Sequence, residues 1–207
     1  MMQKLSDWIY IVDGALSEEF CAQVIEKYEH VIEHGDSTGF HGKWGEVGMR
    51  EYRPDVKKSW DYGIEAKEWP DIDEVFYKSL GEHYMNYLGN PPWSNLRSSS
   101  GYINLRDTGY NLQKTLPGDG YIWHNDFGNG QDGGYDEGIR ILTFIWYLND
   151  IKEGGYTEFI DGTKIQPKSG RMVIFPCTWQ YEHRGYPPKS ETKYICTGWM
   201  YSQRVSV

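Results

Sequence analysis

Residues 121–126 read Tyr121-Ile122-Trp123-His124-Asn125-Asp126 and follow the turn-like stretch Leu116-Pro117-Gly118-Asp119-Gly120. In an extended strand, residues i and i+2 point to the same face. His124 and Asp126 therefore present an imidazole nitrogen and a carboxylate to one place. A His-x-Asp triplet alone is weak, since a solvated strand end produces it as readily. The chain has a second one, His34-Gly35-Asp36. That triplet falls where a first helix ends, and a histidine near a helix's negative end is explanation enough.

His183 distinguishes 124–126. It lies 57 residues after Asp126, at the end of a later strand pattern. Two histidines and one carboxylate on one face of a metal form the facial triad of non-haem Fe(II) sites, which leaves coordination positions open. The same three ligands also suit zinc. Lys193 follows His183 by ten residues and opens the strand pattern Lys193-Tyr194-Ile195-Cys196-Thr197-Gly198-Trp199-Met200-Tyr201. Lys193, Ile195, Thr197 and Trp199 then share one face. A lysine turned inward among apolar neighbours is costly unless an anion meets it; an exposed lysine at a strand start is the plainer alternative.

Around this pair of strands the chain reads as β from about residue 100. Candidate strands are 101–105, 110–115, 121–126, 139–148, 155–160, 171–175, 179–183 and 192–201, separated by Gly- and Pro-rich turns. Eight short strands of this kind suggest a sandwich or jelly roll. Before them the pattern is helical. A short strand over 8–12 precedes a helix capped by Ser17 that runs to about His34. A second helix spans about 72–88 and ends before Pro91-Pro92. Residues 35–63 show no clear period, and a stretch that long is expected to be a functional loop. The chain is expected to be one domain over 1–207. A helical and loop part covers about 1–99, and a β core about 100–203.

The net charge of −9 argues against a nucleic-acid footprint, which wants a basic patch. The high count of aromatics, Trp 9, Tyr 17 and Phe 7, leans toward β structure. Cys21, Cys177 and Cys196 include no CxxC pair and an odd number, so neither a disulfide framework nor a cysteine zinc site is indicated. No stretch approaches the roughly 20 apolar residues of a membrane span. A soluble, cytoplasmic protein is expected. The pair Lys57-Lys58 reads as solvated, Gly154-Gly155 as a turn, and His30, His41 and His83 as surface or helix residues.

Together, His-x-Asp, the distal histidine and the lysine ten residues beyond it resemble the 2-oxoglutarate- and Fe(II)-dependent dioxygenases, in particular the prolyl 4-hydroxylase-like group. "LQKTLPGDGYIWHND" (112–126), "RILTFIWYLNDIKEGGYTEF" (140–159), "SGRMVIFP" (169–176) and the opening "DWIYIVDGALSEEFC" (7–21) are similar to that group's segments. Residues 35–99 carry little of the likeness. The resemblance implies an α+β chain, mainly β with N-terminal helices, whose core is a double-stranded β-helix (jelly-roll, cupin-like). It implies that His124, Asp126 and His183 bind Fe(II), and that Lys193 pairs with the far carboxylate of 2-oxoglutarate. Tyr121, Arg140 and Trp199 match substrate-lining positions. Thr143 and Thr157 match threonines inside the barrel, with Thr143 counted toward the cosubstrate. Where the group often carries a cosubstrate tyrosine, nine residues before the first histidine, this chain has Thr115. Either Thr115 makes a shorter contact or Tyr110 or Tyr102 fills in.

The implied reaction is hydroxylation of a C–H bond by Fe(II), 2-oxoglutarate and O2, with ascorbate as an auxiliary. 2-Oxoglutarate leaves as succinate and CO2. An intact Asp126 argues against halogenation, which wants that ligand absent. The expected substrate is proline in a peptide or protein, with attack at C4. A free amino acid or other small molecule is the alternative within the same chemistry, and a non-catalytic jelly-roll module is the rival from another class. No nucleic-acid or membrane partner is expected. The irregular stretch 35–63, with Trp44, Arg50, Tyr52, Arg53 and Trp60, is the candidate lid.

Overall fold

The computed structural model describes residues 5–34, 46–47, 51–89, 105–127 and 139–202. Helix α1 (Glu18–His34) begins as the sequence indicates, with the Phe20 N–H donating to Ser17 Oγ at 3.1 Å. Helix α2 (Pro70–Gly89) starts two residues earlier than expected. Pro70 supplies a fixed φ and needs no partner for a missing N–H, which suits a first helical position.

The strands are β1 (Tyr10–Val12), β2 (Glu46–Val47), β3 (Glu51–Tyr52), β4 (Trp60–Gly63), β5 (Leu105–Asp107), β6 (Asn111–Thr115) and β7 (Tyr121–His124). They continue with β8 (Ile139–Tyr147), β9 (Thr157–Phe159), β10 (Lys164–Ile165), β11 (Arg171–Pro176), β12 (His183–Gly185) and β13 (Lys193–Ser202). A seven-stranded sheet runs β1-β11-β8-β13-β6-β4, with β5 also on β13. A four-stranded sheet runs β10-β9-β12-β7. All these pairings are antiparallel. Strands β2 and β3 form a separate hairpin.

The period of two assigns each face. On β8 and β11, Leu142, Phe144, Trp146, Met172 and Ile174 turn toward the helices, where they meet Cys21, Val24, Tyr28, Phe76 and Leu80. Ile145, Tyr147, Val173 and Phe175 turn the other way and pack with Phe159, Ile165 and Tyr181 between the sheets. With both faces covered, β8 reads as a continuous apolar run rather than an alternating one.

Three expectations change. Residues 179–181 form a 3-10 turn closed by Tyr181 N–H to Thr178 C=O at 2.8 Å, so strand β12 begins only at His183. The stretch 35–63 is not irregular throughout: Trp60–Gly63 is β4, paired to β6. Lys57 is not solvated. It is 6% exposed and ion-paired with Asp61, because the chain carries it under Tyr121. His83 lies on α2 as expected but is buried, within 3.3 Å of the Tyr10 hydroxyl. The expected strand 101–105 falls outside the described residues except at Leu105, as do His41, Trp44, Arg50 and Tyr102 and the side chain of Tyr52.

Candidate active site

His124 ends β7 and His183 begins β12, and the two residues are direct cross-strand partners. Asp126 lies two residues beyond His124. One ligand atom from each of the three falls within 4.8 Å of the others. His124 Nε2 is 3.5 Å from Asp126 Oδ1, and His183 Nε2 is 3.7 Å from Asp126 Oδ2. The second nitrogen of each ring is already used. His124 Nδ1 lies 2.8 Å from the Ile122 carbonyl, and His183 Nδ1 lies 2.9 Å from the Tyr181 carbonyl. A carbonyl only accepts, so both rings donate through Nδ1 and turn Nε2 toward the centre. This is the outer bonding that orients metal-ligating histidines.

Burial, then the neighbouring His183, lowers the His124 pKa to about 4 despite Asp126, so its imidazole is neutral at pH 7. Burial pushes the Asp126 carboxyl up, but His183, His124 and the hydrogen bond from Thr143 outweigh it and hold the group low. Two imidazole nitrogens and one carboxylate, converging with the outer nitrogens of both rings already bonded, fit a divalent first-row metal.

Register irregularity decides a second point. Between His183 and Gly185 strand β12 takes two steps, while β7 takes three, from His124 to Tyr121. The extra residue reverses the alternation on β7. Tyr121 and His124, three apart, thus share a face, and their rings stack at 3.6 Å with 17° between planes. A regular strand places them on opposite faces.

One cleft collects most of the anticipated residues: Tyr121, His124, Asp126, Thr143, Thr115, His183, Lys193 and Trp199. Lys193, Ile195, Thr197 and Trp199 all line it, as their common strand face requires. Lys193 is 6% exposed, and no carboxylate pairs with it among the described residues. Burial lowers its pKa to about 8. Its Nζ sits 5.5 Å from the centre of the Tyr147 ring. Thr115 is its cross-strand partner. The cleft thus has a metal-ligand cluster and, apart from it, an unpaired ammonium.

Arg140 does not itself line the cleft wall, but its guanidinium lies 3.7 Å from the Trp199 ring centre. Thr143 gives its hydroxyl proton to Asp126 at 2.7 Å, which places it at the metal end of the cleft. Tyr110 cannot reach the cosubstrate: it is 4% exposed on the helix side, packed against Phe76, Phe144 and Trp146. The tyrosine beside Lys193 is Tyr147, which donates to Thr157 Oγ1 at 2.7 Å. Counting by twos along β8 from Thr143 reaches it. Sequence reading also missed Lys57 and Ser59, which bond Asp61 on the cleft wall.

Residues 110–201 match the 2OG-Fe(II) oxygenase superfamily. No match was found among the curated proteins. Several solved structures share the fold. A viral collagen prolyl hydroxylase from Paramecium Bursaria Chlorella virus-1, as its 2OG complex, is 21% identical with a TM-score of 0.64, over 94% of this chain and 96% of that one. A Trichoplax adhaerens prolyl hydroxylase, in complex with a hypoxia inducible factor oxygen degradation domain peptide fragment, is 18% identical with a TM-score of 0.69, over 95% and 84%. A Pseudomonas putida prolyl-4-hydroxylase is 15% identical with a TM-score of 0.63, over 96% and 94%. At these identities the likeness is one of fold.

Proposed function

We propose that this 2-oxoglutarate-dependent dioxygenase hydroxylates proline at C4 within a peptide or protein, and that residues 1–207 act as one catalytic unit. Its cofactors are Fe(II), 2-oxoglutarate and O2, with ascorbate as an auxiliary. When bound, they would supply two coupled two-electron oxidations, one placing an oxygen atom of O2 in a C–H bond and the other converting 2-oxoglutarate to succinate, which takes the second oxygen atom, and CO2.

The chain's own residues do the rest. His124, Asp126 and His183 hold the metal through two imidazole nitrogens and one carboxylate. Lys193 holds the far carboxylate of 2-oxoglutarate, and this unpaired buried ammonium is the observation that most favours a dicarboxylate cosubstrate. Thr115, beside Lys193, and Thr143, at the metal end, are assigned to the same cosubstrate channel. Tyr121 covers one face of His124 and limits water there.

The substrate assignment rests on the aromatic and guanidinium groups at the metal end. Tyr121, Trp199 and Arg140 suit a chain in extended or polyproline form, whose rings pack on aromatics and whose carbonyls accept from arginine. Two of the fold relatives are a collagen prolyl hydroxylase and a prolyl hydroxylase bound to a peptide fragment, in keeping with a peptide. Three buried, unpaired cysteines suit a reducing, cytoplasmic compartment, and no helix among the described residues is long and apolar enough to cross a membrane.

The test is a library of proline peptides incubated with protein, Fe(II), 2-oxoglutarate and ascorbate. The expected result is a gain of one oxygen atom on proline, matched by succinate and identified as 4-hydroxyproline by NMR. Succinate release with no peptide oxidised, but with a free amino acid oxidised, moves the assignment to a small-molecule hydroxylase. No succinate under any condition points to a non-catalytic module.

A further inference from the structure

Asp126 stands two residues beyond the end of β7, past the last pairing of that strand with β12. Its carboxylate faces two ways. Oδ1 is 3.5 Å from His124 Nε2, and Oδ2 is 3.7 Å from His183 Nε2. The terminal torsion of an aspartate is broad, so the two ring nitrogens alone do not decide which oxygen meets an ion.

A residue of the opposite sheet does. Thr143 sits on β8 between two direct cross-strand partners, Phe175 on β11 and Trp199 on β13, and is 2% exposed. Its β-branched side chain has few rotamers available. Its hydroxyl donates to Asp126 Oδ2 at 2.7 Å, so Oδ1 is the oxygen left without that bond.

Behind Thr143 lies Cys177. The backbone pairing of β11 with β8 continues one step past Pro176, where the Cys177 N–H donates to the Ile141 carbonyl at 3.0 Å. Cys177 is therefore the diagonal neighbour of Thr143 on the same sheet face. Its Sγ is buried, 3.2 Å from Thr143 Oγ1. A hydroxyl carries one proton and two lone pairs. The Thr143 proton goes to Asp126, so the thiol is the donor in this second contact. A bond accepted by an oxygen strengthens the bond that the same group donates. A buried cysteine ordinarily serves as a small apolar filler; this one meets a hydroxyl already committed to a ligand.

We propose that Thr143 is the positioning residue for Asp126, and that Cys177 acts through it. The relay runs from thiol to hydroxyl to Oδ2, and it turns Oδ1 toward the metal. This rests on the metal-site reading above. It gives Thr143 a task beside its place in the cosubstrate channel, and it gives Cys177 a task where sequence reading found none.

The test uses the full chain and Co(II), read by calorimetry and by visible absorption of the bound ion. Thr143→Val keeps the branched shape and removes the hydroxyl. It should bind Co(II) about tenfold more weakly or worse, the usual scale for losing an outer partner of a ligand, with a changed absorption. Thr143→Ser keeps the hydroxyl and opens a small gap, and it should bind Co(II) with wild-type absorption. A residue that only packs predicts the reverse order, and that order overturns the proposal. Cys177→Ala should weaken Co(II) binding about twofold or more, the low end of a hydrogen bond's net value, and Cys177→Ser should restore it. In the Thr143→Val background Cys177→Ala should add nothing, because its only route to Asp126 is gone; a full additive loss overturns the relay. Should Thr143→Val not fold, Cys177→Ala against Cys177→Ser carries the contrast, and wild-type Co(II) affinity in Cys177→Ala overturns the proposal. His183→Ala separates the two readings: if it binds Co(II) like the wild type, the metal site itself is misassigned.

Discussion

Replacing Lys193 with Met should move two measurements in opposite directions. In the ligand-free protein the ammonium is buried with no carboxylate partner among the described residues, and burial displaces its pKa from 10.5 to about 8. That displacement corresponds to about 3 kcal/mol of destabilisation at neutral pH. The cation above the Tyr147 ring, at 5.5 Å, recovers part of it, roughly 0.5–2 kcal/mol. Methionine keeps an apolar stem in the same space and carries no charge. The metal-loaded variant without 2-oxoglutarate should therefore be more stable by about 1–3 kcal/mol, or several degrees in melting temperature for a chain of this size. Its affinity for 2-oxoglutarate should fall by roughly ten- to a hundredfold, the value of a charged hydrogen bond of about 1.5–3 kcal/mol. Thermal denaturation of Mn(II)-loaded protein across a 2-oxoglutarate series reads both at once. The wild type should melt lower at zero cosubstrate and climb steeply; the variant should start higher and stay flat. A variant that melts below the wild type without ligand, or climbs with the same midpoint, refutes the assignment of Lys193 as an unpaired ammonium awaiting an anion.

The same group sets a pH dependence. Only the ammonium form binds the dicarboxylate, so 2-oxoglutarate affinity should be level below about pH 8 and fall toward tenfold per pH unit above it; calorimetry showing no decline by pH 9 contradicts this. Stability without cosubstrate should run the other way. The unfolded chain holds the extra proton between about pH 8 and 10.5, so stability gains with pH in that window, and the gain should vanish in Lys193→Met. Arg140→Ala should impair coupled peptide hydroxylation more than peptide-independent 2-oxoglutarate turnover, since Arg140 touches Trp199 and no metal ligand among its described contacts; equal loss of both marks it as structural. Gly198→Ala, whose Cβ meets the Gly109 carbonyl oxygen and the Phe144 ring at 2.5 Å, should cost about 1–3 kcal/mol by overpacking. Urea unfolding at wild-type stability would show that β13 has room the structure does not give it.

The parts that were legible follow from period and chemistry. His124, Asp126 and His183 announce themselves by ligand type, and the odd positions of β13 place Lys193 and Trp199 on the face that lines the cleft. The parts that were not legible depend on departures from period. Nothing in Tyr121-Ile122-Trp123-His124 declares the extra residue that turns Tyr121 onto its histidine; it is visible only against β12. The turn at Trp179–Tyr181 hides among residues that also suit a strand, because tertiary context overrides propensity there. Lys57 looked solvated because its partner Asp61 is four residues on in a stretch without a readable period. Tyr147 was overlooked because β8 is apolar on both faces, so its inward-facing set does not stand out.

Among the described residues no strand pairing joins the two sheets; seven buried side chains from Ile145 to Tyr181 form the core cluster between them. His124 and His183 belong to the smaller sheet, Lys193 and Thr143 to the larger. On the proposed assignment, a metal held by the first pair and a dicarboxylate held by Lys193 would together make a rivet through both layers. Before loading, the layers are joined by that core and by side-chain bonds from Thr143 to Asp126 and from Tyr147 to Thr157; after loading, opening either layer would also mean breaking the rivet. The protein's resistance to proteases and its turnover in a cell then follow the supply of cosubstrate and metal as well as its own packing.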